Sequence, residues 1–184
     1  MGAGKSTLGR ALESSCVSLG APSLPGCRFI DLDDEIEARA GLTVTEIFAT
    51  RGEEAFRQLE ADTLQAVTDG ALGRGGLTVV ATGGGTPCRP GAMELMNSAG
   101  LTVWLEASEE RLLNRLWLES AKRPLIAGKL PGDILGVMRA QRAARAPFYS
   151  RAQARFCSDL LENEAEIAET VTEFTKKFIT PYGE

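Results

Sequence analysis

The run Gly2-Ala3-Gly4-Lys5-Ser6-Thr7 restricts the fold of this 184-residue chain more than any other stretch. Glycines let successive backbone N–H groups converge on an anion with no side chain in the way. A lysine and a hydroxyl residue then stand at the start of a helix whose positive end faces the same anion. This is the closing half of a phosphate-binding P-loop. Lys5 suits the β- and γ-phosphates of a nucleotide and Ser6 suits Mg²⁺, while Gly2, Ala3, Gly4 and Thr7 shape the turn. A glycine turn before a helix can also arise with no ligand at all, so the rest of the chain has to decide.

The sequence has no histidine, and its four cysteines (Cys16, Cys27, Cys88, Cys157) form no C-x-x-C pair. That argues against zinc sites and against Ser–His or Cys–His catalysis, and points to reduced thiols in the cytoplasm. Proton transfer, where needed, falls to a carboxylate or a lysine. A net charge of −5 argues against nucleic acid as a partner, although Arg139, Arg142, Arg145, Arg151 and Arg155 could be read as a patch. No apolar run reaches membrane-spanning length and no leader-like segment precedes the glycine turn, so no membrane role is expected.

Along the chain, Leu8, Leu12, Cys16 and Leu19 mark one face of a helix from Lys5, and Gly20 to Gly26 reads as a turn-rich connection. Cys27 to Ile30 predicts a strand ending at Asp31-Leu32-Asp33-Asp34, with Asp33 or Asp34 as the cap of a helix that stops at Gly41. A short helix over Thr45–Thr50 and a longer one from Glu53 to about Ala71 follow. Leu77–Thr82 and Leu101–Leu105 predict buried strands, with a helix carrying Leu112, Leu113 and Leu116 after the second. Residues 119–131 read as a surface segment, Gly132 to Ala146 as a helix ending before Pro147, and Arg155 to Leu160 as a last strand. A final helix carries Ile167, Val171, Phe174 and Phe178. Alternating strands and helices imply one α/β domain over residues 1–184, a parallel sheet covered on both faces.

In such a sheet, ligands collect at the carboxyl ends of the strands. Three polar features fall there: the glycine–lysine turn, the pair Asp31 and Asp33, and Gly83-Gly84-Gly85. The aspartates could be only helix caps, and the glycines only a loop. Beside bound phosphates, one carboxylate can support Mg²⁺ through water and the other accept a hydroxyl proton. Arg57 and Arg145 could be solvated surface residues, whereas Arg123 sits where a lid over phosphates would need a positive charge.

Six segments carry a family resemblance: GAGKST at 2–7, FIDLDDEIE at 29–37, EIFATRGEEAFRQLE at 46–60, VVATGGG at 79–85, KRPL at 122–125 and RAPFY at 145–149. In this order the chain resembles the shikimate kinases, above all in the Asp-x-Asp and F-R-x-x-E segments. The resemblance implies ATP-dependent phosphorylation of the shikimate 3-hydroxyl, a step of chorismate and aromatic amino-acid synthesis, with Mg²⁺ as cofactor. It implies that Lys5 holds the phosphates, that Ser6 and Asp31 serve the metal, and that Asp33 binds the shikimate hydroxyls and orients or deprotonates the nucleophile. Arg57, Arg145 and the backbone of Gly83, Gly84 and Gly85 would hold the substrate. Arg123 would be the arginine of a lid at about 119–131, Arg115 would contact adenine, and the substrate-binding helices would span about 33–60. A monomer in the cytoplasm is expected. A small-molecule kinase of other specificity, such as a gluconate or nucleoside-monophosphate kinase, and a binding protein that no longer catalyses are the alternatives.

The chain departs from this family at one place. The pattern G-x-x-x-x-G-K-[ST] needs a glycine before Met1, and an apolar strand should feed the turn. The resemblance implies a five-stranded sheet ordered 2-3-1-4-5, in which that strand is the middle one. A mis-called start is the expected reason. Without that strand, the expectation is a gap between two neighbouring strands.

Overall fold

The strands come in two parallel pairs that no ladder joins among the described residues. The computed structural model describes residues 2–18 (backbone only for 16–18), 27–73, 75–118 and 126–179. The connection read at 20–26, Arg123 and the first part of the lid segment lie outside the described residues. Helix α1 (Lys5–Ser18) leads to strand β1 (Arg28–Asp31), helix α2 (Leu32–Ala40) and the long helix α3 (Val44–Leu72). Strand β2 (Thr78–Ala81) is followed by a 3₁₀ turn at Thr86–Cys88, helix α4 (Ala92–Ala99) and strand β3 (Val103–Glu106). Helices α5 (Glu109–Leu118) and α6 (Pro131–Tyr149), strand β4 (Ala154–Cys157) and helix α7 (Glu164–Phe174) complete the order, α7 running on into a π-type turn at Thr175–Ile179.

Local chemistry sets the boundaries. Asp31, not Asp33 or Asp34, caps α2: its carboxylate accepts the Asp33 N–H at 3.2 Å. The last residue of β1 is thus also the first support of α2, and its side chain is fixed at the strand end. Thr43 and Glu46 close a capping box at the start of α3, and Gly52 (φ 80°, ψ 175°) breaks that helix into the short and long pieces expected. Helix α6 does not stop before Pro147. The proline forfeits one backbone bond, but the Ser150 N–H returns to Ala146 O at 2.9 Å, so the last turn stays helical. Arg145 and Tyr149, four residues apart, therefore share a face.

Strand β1 pairs with β2 from Arg28↔Thr78 to Asp31↔Ala81, and β3 pairs with β4 from Val103↔Ala154 to Glu106↔Cys157. No ladder joins β2 to β3. The gap expected of a sheet lacking its middle strand is there. Cavities of about 330 Å³ and about 400 Å³ open on its two sides, and Lys5, Thr78, Val80, Val103 and Leu105 line both. A packed interior holds few voids larger than a water molecule, so this slot is loosely packed.

The core divides accordingly. Leu32, Ile36, Ile47, Phe56, Leu64 and Val67 pack under β1 and β2, while Leu112, Leu116, Ile126, Ile134 and Met138 pack between α5 and α6. A third cluster joins Leu8 and Leu12 of α1 to Phe156 of β4 and Val171 of α7. Helix α1 is thereby the strut across the two strand pairs. Among the described residues no helix is long and apolar enough to cross a membrane.

Candidate active site

The carboxyl ends of β1 and β2 meet the start of α1, and the polar residues gather there. Asp31 uses both oxygens. One accepts the Asp33 N–H, and the other accepts the Ser6 hydroxyl at 2.5 Å. The sequence pair at 31 and 33 and the hydroxyl of the glycine–lysine turn are thus one assembly. Lys5, the residue before, lines the slot, and its charge acts on Asp33.

Asp33 stands in the first turn of α2, half-buried. Burial raises its pKa above the ordinary 3.8, and the charges of Asp31, Glu60 and Asp34 push the same way. Lys5 alone opposes them. A carboxylate poised in this way accepts a proton more readily than a solvated one. Gly83 faces it closely: a Cβ there would lie 3.3 Å from Asp33 Oδ1 and 3.1 Å from Glu60 Oε1.

The next two glycines are bound by arginines. None of Gly83, Gly84 and Gly85 has a positive φ, so space rather than backbone conformation requires them. A Cβ on Gly84 would lie 2.7 Å from Arg145 Nη1, and one on Gly85 would lie 2.9 Å from Arg57 Nη1. The triple glycine is a seat for two guanidiniums.

Those guanidiniums differ. Arg57 is clamped: Nη1 donates to Glu60 at 3.0 Å, and Nη2 and Nε donate to Glu53 at 3.2 Å and 3.3 Å. Burial alone would lower its pKa, but Glu60 and then Glu53 outweigh it, and the pKa rises. Glu60 is only 1% exposed, and its other oxygen accepts the Thr86 hydroxyl at 2.6 Å. Among the described residues no carboxylate ion-pairs with Arg145. It leans on Gly84 and on Tyr149, which donates to Gly84 O at 2.6 Å. Cys88 lies within the field of both arginines. Burial nonetheless holds its thiol above the ordinary 9.0, so it is not a reactive thiolate.

Arg115 lies across the turn from this cluster. Its guanidinium donates to Asp159 O at 2.6 Å, Ser158 O at 3.0 Å and Gly2 O at 3.4 Å, tying the segment after β4 to the glycine turn. The structure therefore brings together Lys5, Ser6, Asp31, Asp33, Arg57, the three glycines and Arg145, while Arg123 lies outside the described residues. Sequence reasoning assigned no part to Glu60, Thr86 or Tyr149. Glu60 had a signal, since a carboxylate three residues after an arginine on a helix is its neighbour. Tyr149 lay in the RAPFY segment at 145–149, but with the helix ended at Pro147 it was given no part.

A family model described as shikimate kinase matches residues 1–176. A shikimate kinase of Bacteroides fragilis is 40% identical over 176 residues, covering 96% of this chain and 90% of the relative. One from Symbiobacterium thermophilum is 39% identical over 178 residues, covering 94% and 92%. Among solved structures, the shikimate kinase of Bacteroides thetaiotaomicron superposes with a TM-score of 0.82 at 35% identity, covering 96% of this chain and 92% of that one. The shikimate kinase of Acinetobacter baumannii in complex with shikimate gives 0.75 at 28% identity, covering 100% and 91%.

Proposed function

This chain belongs to the shikimate kinase family, and on that footing we propose how its residues divide the work of phosphorylating shikimate. The protein is an ATP-dependent kinase of the pathway to aromatic amino acids, and its acceptor is shikimate. The observation that carries the assignment of roles is the meeting of a proton-accepting carboxylate, a phosphate-side lysine and two glycine-seated guanidiniums at one strand end.

Shikimate is a small carboxylate with three hydroxyls, and the two sides of the cleft divide those groups between them. Arg145, with no competing carboxylate among the described residues, takes the substrate carboxylate through its fork of donors. Asp33 takes the 3-hydroxyl, orients it and receives its proton as the oxygen attacks the γ-phosphorus of ATP. Arg57, held by Glu53 and Glu60, lines the substrate cleft with less net charge to offer. Lys5 and the N–H groups from Gly2 to Thr7 hold the β- and γ-phosphates.

Ser6 and Asp31 suit Mg²⁺, for they are hard oxygen donors already side by side. When bound, Mg²⁺ neutralises charge on the nucleotide phosphates. Arg123 is assigned to the lid over the phosphates, and Arg115, at Gly2, to the adenine side of the turn. This reading takes the protein as a monomer, and the ATP it consumes fits a place in the cytoplasm.

The test is ADP release from ATP and Mg²⁺ with and without shikimate, beside gluconate as a comparison substrate. Shikimate-dependent release is expected. Faster turnover of gluconate, or ATP and shikimate binding with no release, would sink the assignment.

A further inference from the structure

The Gly84 carbonyl accepts the Tyr149 hydroxyl at 2.6 Å across 65 residues of sequence. A planar trans peptide points its C=O and its N–H in opposite directions. Fixing the Gly84 oxygen toward Tyr149 therefore turns the Gly85 N–H away from it. That N–H donates to no described residue, whereas its neighbours in the turn are used: Thr86 N–H to Gly83 O at 3.2 Å and Cys88 N–H to Gly85 O at 2.9 Å. Gly85 is half-buried against Arg57, next to Gly84 on Arg145, and an open N–H there is a donor kept for a ligand.

Tyr149 is itself held on both sides. Its ring meets Trp104 of β3 edge-on, with centroids 5.6 Å apart. Its oxygen and the Arg145 guanidinium lie side by side against Gly84. Burial keeps the phenol protonated, lifting its pKa above the ordinary 10.0 against the pull of Arg145. The hydroxyl thus remains a donor to Gly84 with Arg145 at its side.

We propose that Tyr149 is a positioning residue for the acceptor substrate: its hydroxyl orients the Gly84–Gly85 peptide and the Arg145 guanidinium together, so that the Gly85 N–H and Arg145 meet one shikimate molecule. The proposal rests on the kinase reading of this site. It adds a requirement that reading does not contain, a link from β3 through Trp104 to the glycine turn of β2.

Tyr149→Phe keeps the ring against Trp104 and removes only the hydroxyl. The expected result is a KM for shikimate raised about tenfold, the scale of one lost hydrogen bond. The kcat and the KM for ATP should stay at their wild-type values, while the melting temperature falls by a few degrees at most, the scale of one lost hydrogen bond. Equal changes in both KM values, or no change in either, would overturn the proposal. A second measurement needs no variant. In the wild-type protein the amide resonance of Gly85 should move on adding shikimate, and an unmoved Gly85 amide would also overturn it. Wild-type ADP release without dependence on shikimate would instead defeat the kinase reading, which separates the two failures.

Discussion

The two arginines that frame the cleft reached the same place by opposite means. Arg57 rides on α3, is seated on Gly85 and is flanked by Glu53 and Glu60; Arg145 rides on α6, is seated on Gly84 and meets only uncharged protein groups among the described residues. The first wall is a preformed ion cluster with an excess of carboxylates over its one arginine, and it also holds Thr86 and crowds Asp33. The second wall keeps an unspent positive charge. A cleft built in this way separates two jobs: the acidic wall handles hydroxyls and protons, and the basic wall receives the anion. It also separates their consequences for folding. Removing a partner from a buried pair strands a charge, whereas removing an uncompensated arginine strands nothing.

The largest expected effects fall on the chemistry between the walls. Asp33→Ala should lower kcat by about 10²–10⁴, the range for loss of a general base, while nucleotide binding measured by titration stays near wild type. Lys5→Ala should abolish turnover. If either variant kept its kcat, that residue would lose its assigned part and the acidic wall would be structural only.

Next come the arginines themselves. Arg145→Ala should raise the KM for shikimate about 10- to 100-fold, change the KM for ATP little, and leave the melting temperature unchanged. Arg57→Ala should cost about 3 kcal/mol of stability, because Glu60 is left buried without its cation. The double variant Arg57→Ala/Glu60→Gln should recover part of that loss. Equal melting temperatures for the two single arginine variants would erase the distinction between the walls.

How far the sequence announced these walls depends on which contacts are local. Asp31, Asp33 and the glycine–lysine turn are short motifs whose chemistry does not need a partner to be read, and they converge as expected. The three glycines were legible as a close approach, but what approaches them lies 28 residues before Gly85 and 61 after Gly84, and only the fold brings it there. Helix α6 misled, because Pro147 reads as a stop. The chain accepts one lost backbone bond, and that continuation puts Tyr149 beside Arg145. Glu60 stood in the F-R-x-x-E segment one helical turn from Arg57, but a carboxylate on a helix is ordinarily solvated, and its 1% exposure came only with the fold.

Each wall also belongs to its own half of the sheet. The acidic wall follows β1 and β2, and Trp104 of β3 supports Tyr149 of the basic wall. Arg28 N–H bonds Leu77 O, and Ala154 N–H bonds Thr102 O. Parallel alternation then turns the N–H groups of Val80 and Leu105 toward the slot. Hydrogen exchange should find those two amides about tenfold or more faster than Val79 and Trp104, which face paired neighbours. Equal protection would mean that the halves are joined through the slot after all.

The smallest effect concerns what the acidic wall costs. Asp33 has a folded-state pKa raised by burial and by Asp31 and Glu60, so the folded protein disfavours its charged form relative to the unfolded chain. The penalty is absent below the ordinary carboxylate pKa, where both states hold the proton, and it grows as the pH passes into the window between the unfolded and folded values. Above the folded pKa it is complete. Asp33→Asn should therefore raise the melting temperature at pH 7, and the gain should shrink as the pH is lowered through that window. The same raised pKa should set the acid limb of kcat/KM above 3.8, and Asp33→Asn should lack that limb along with most of the activity. Glu94→Gln, a change at the exposed ion pair with Arg151, supplies the contrast and should leave the limb in place. A stability gain for Asp33→Asn that did not vary with pH would mean that packing, not the crowding of carboxylates, separates this wall from the other.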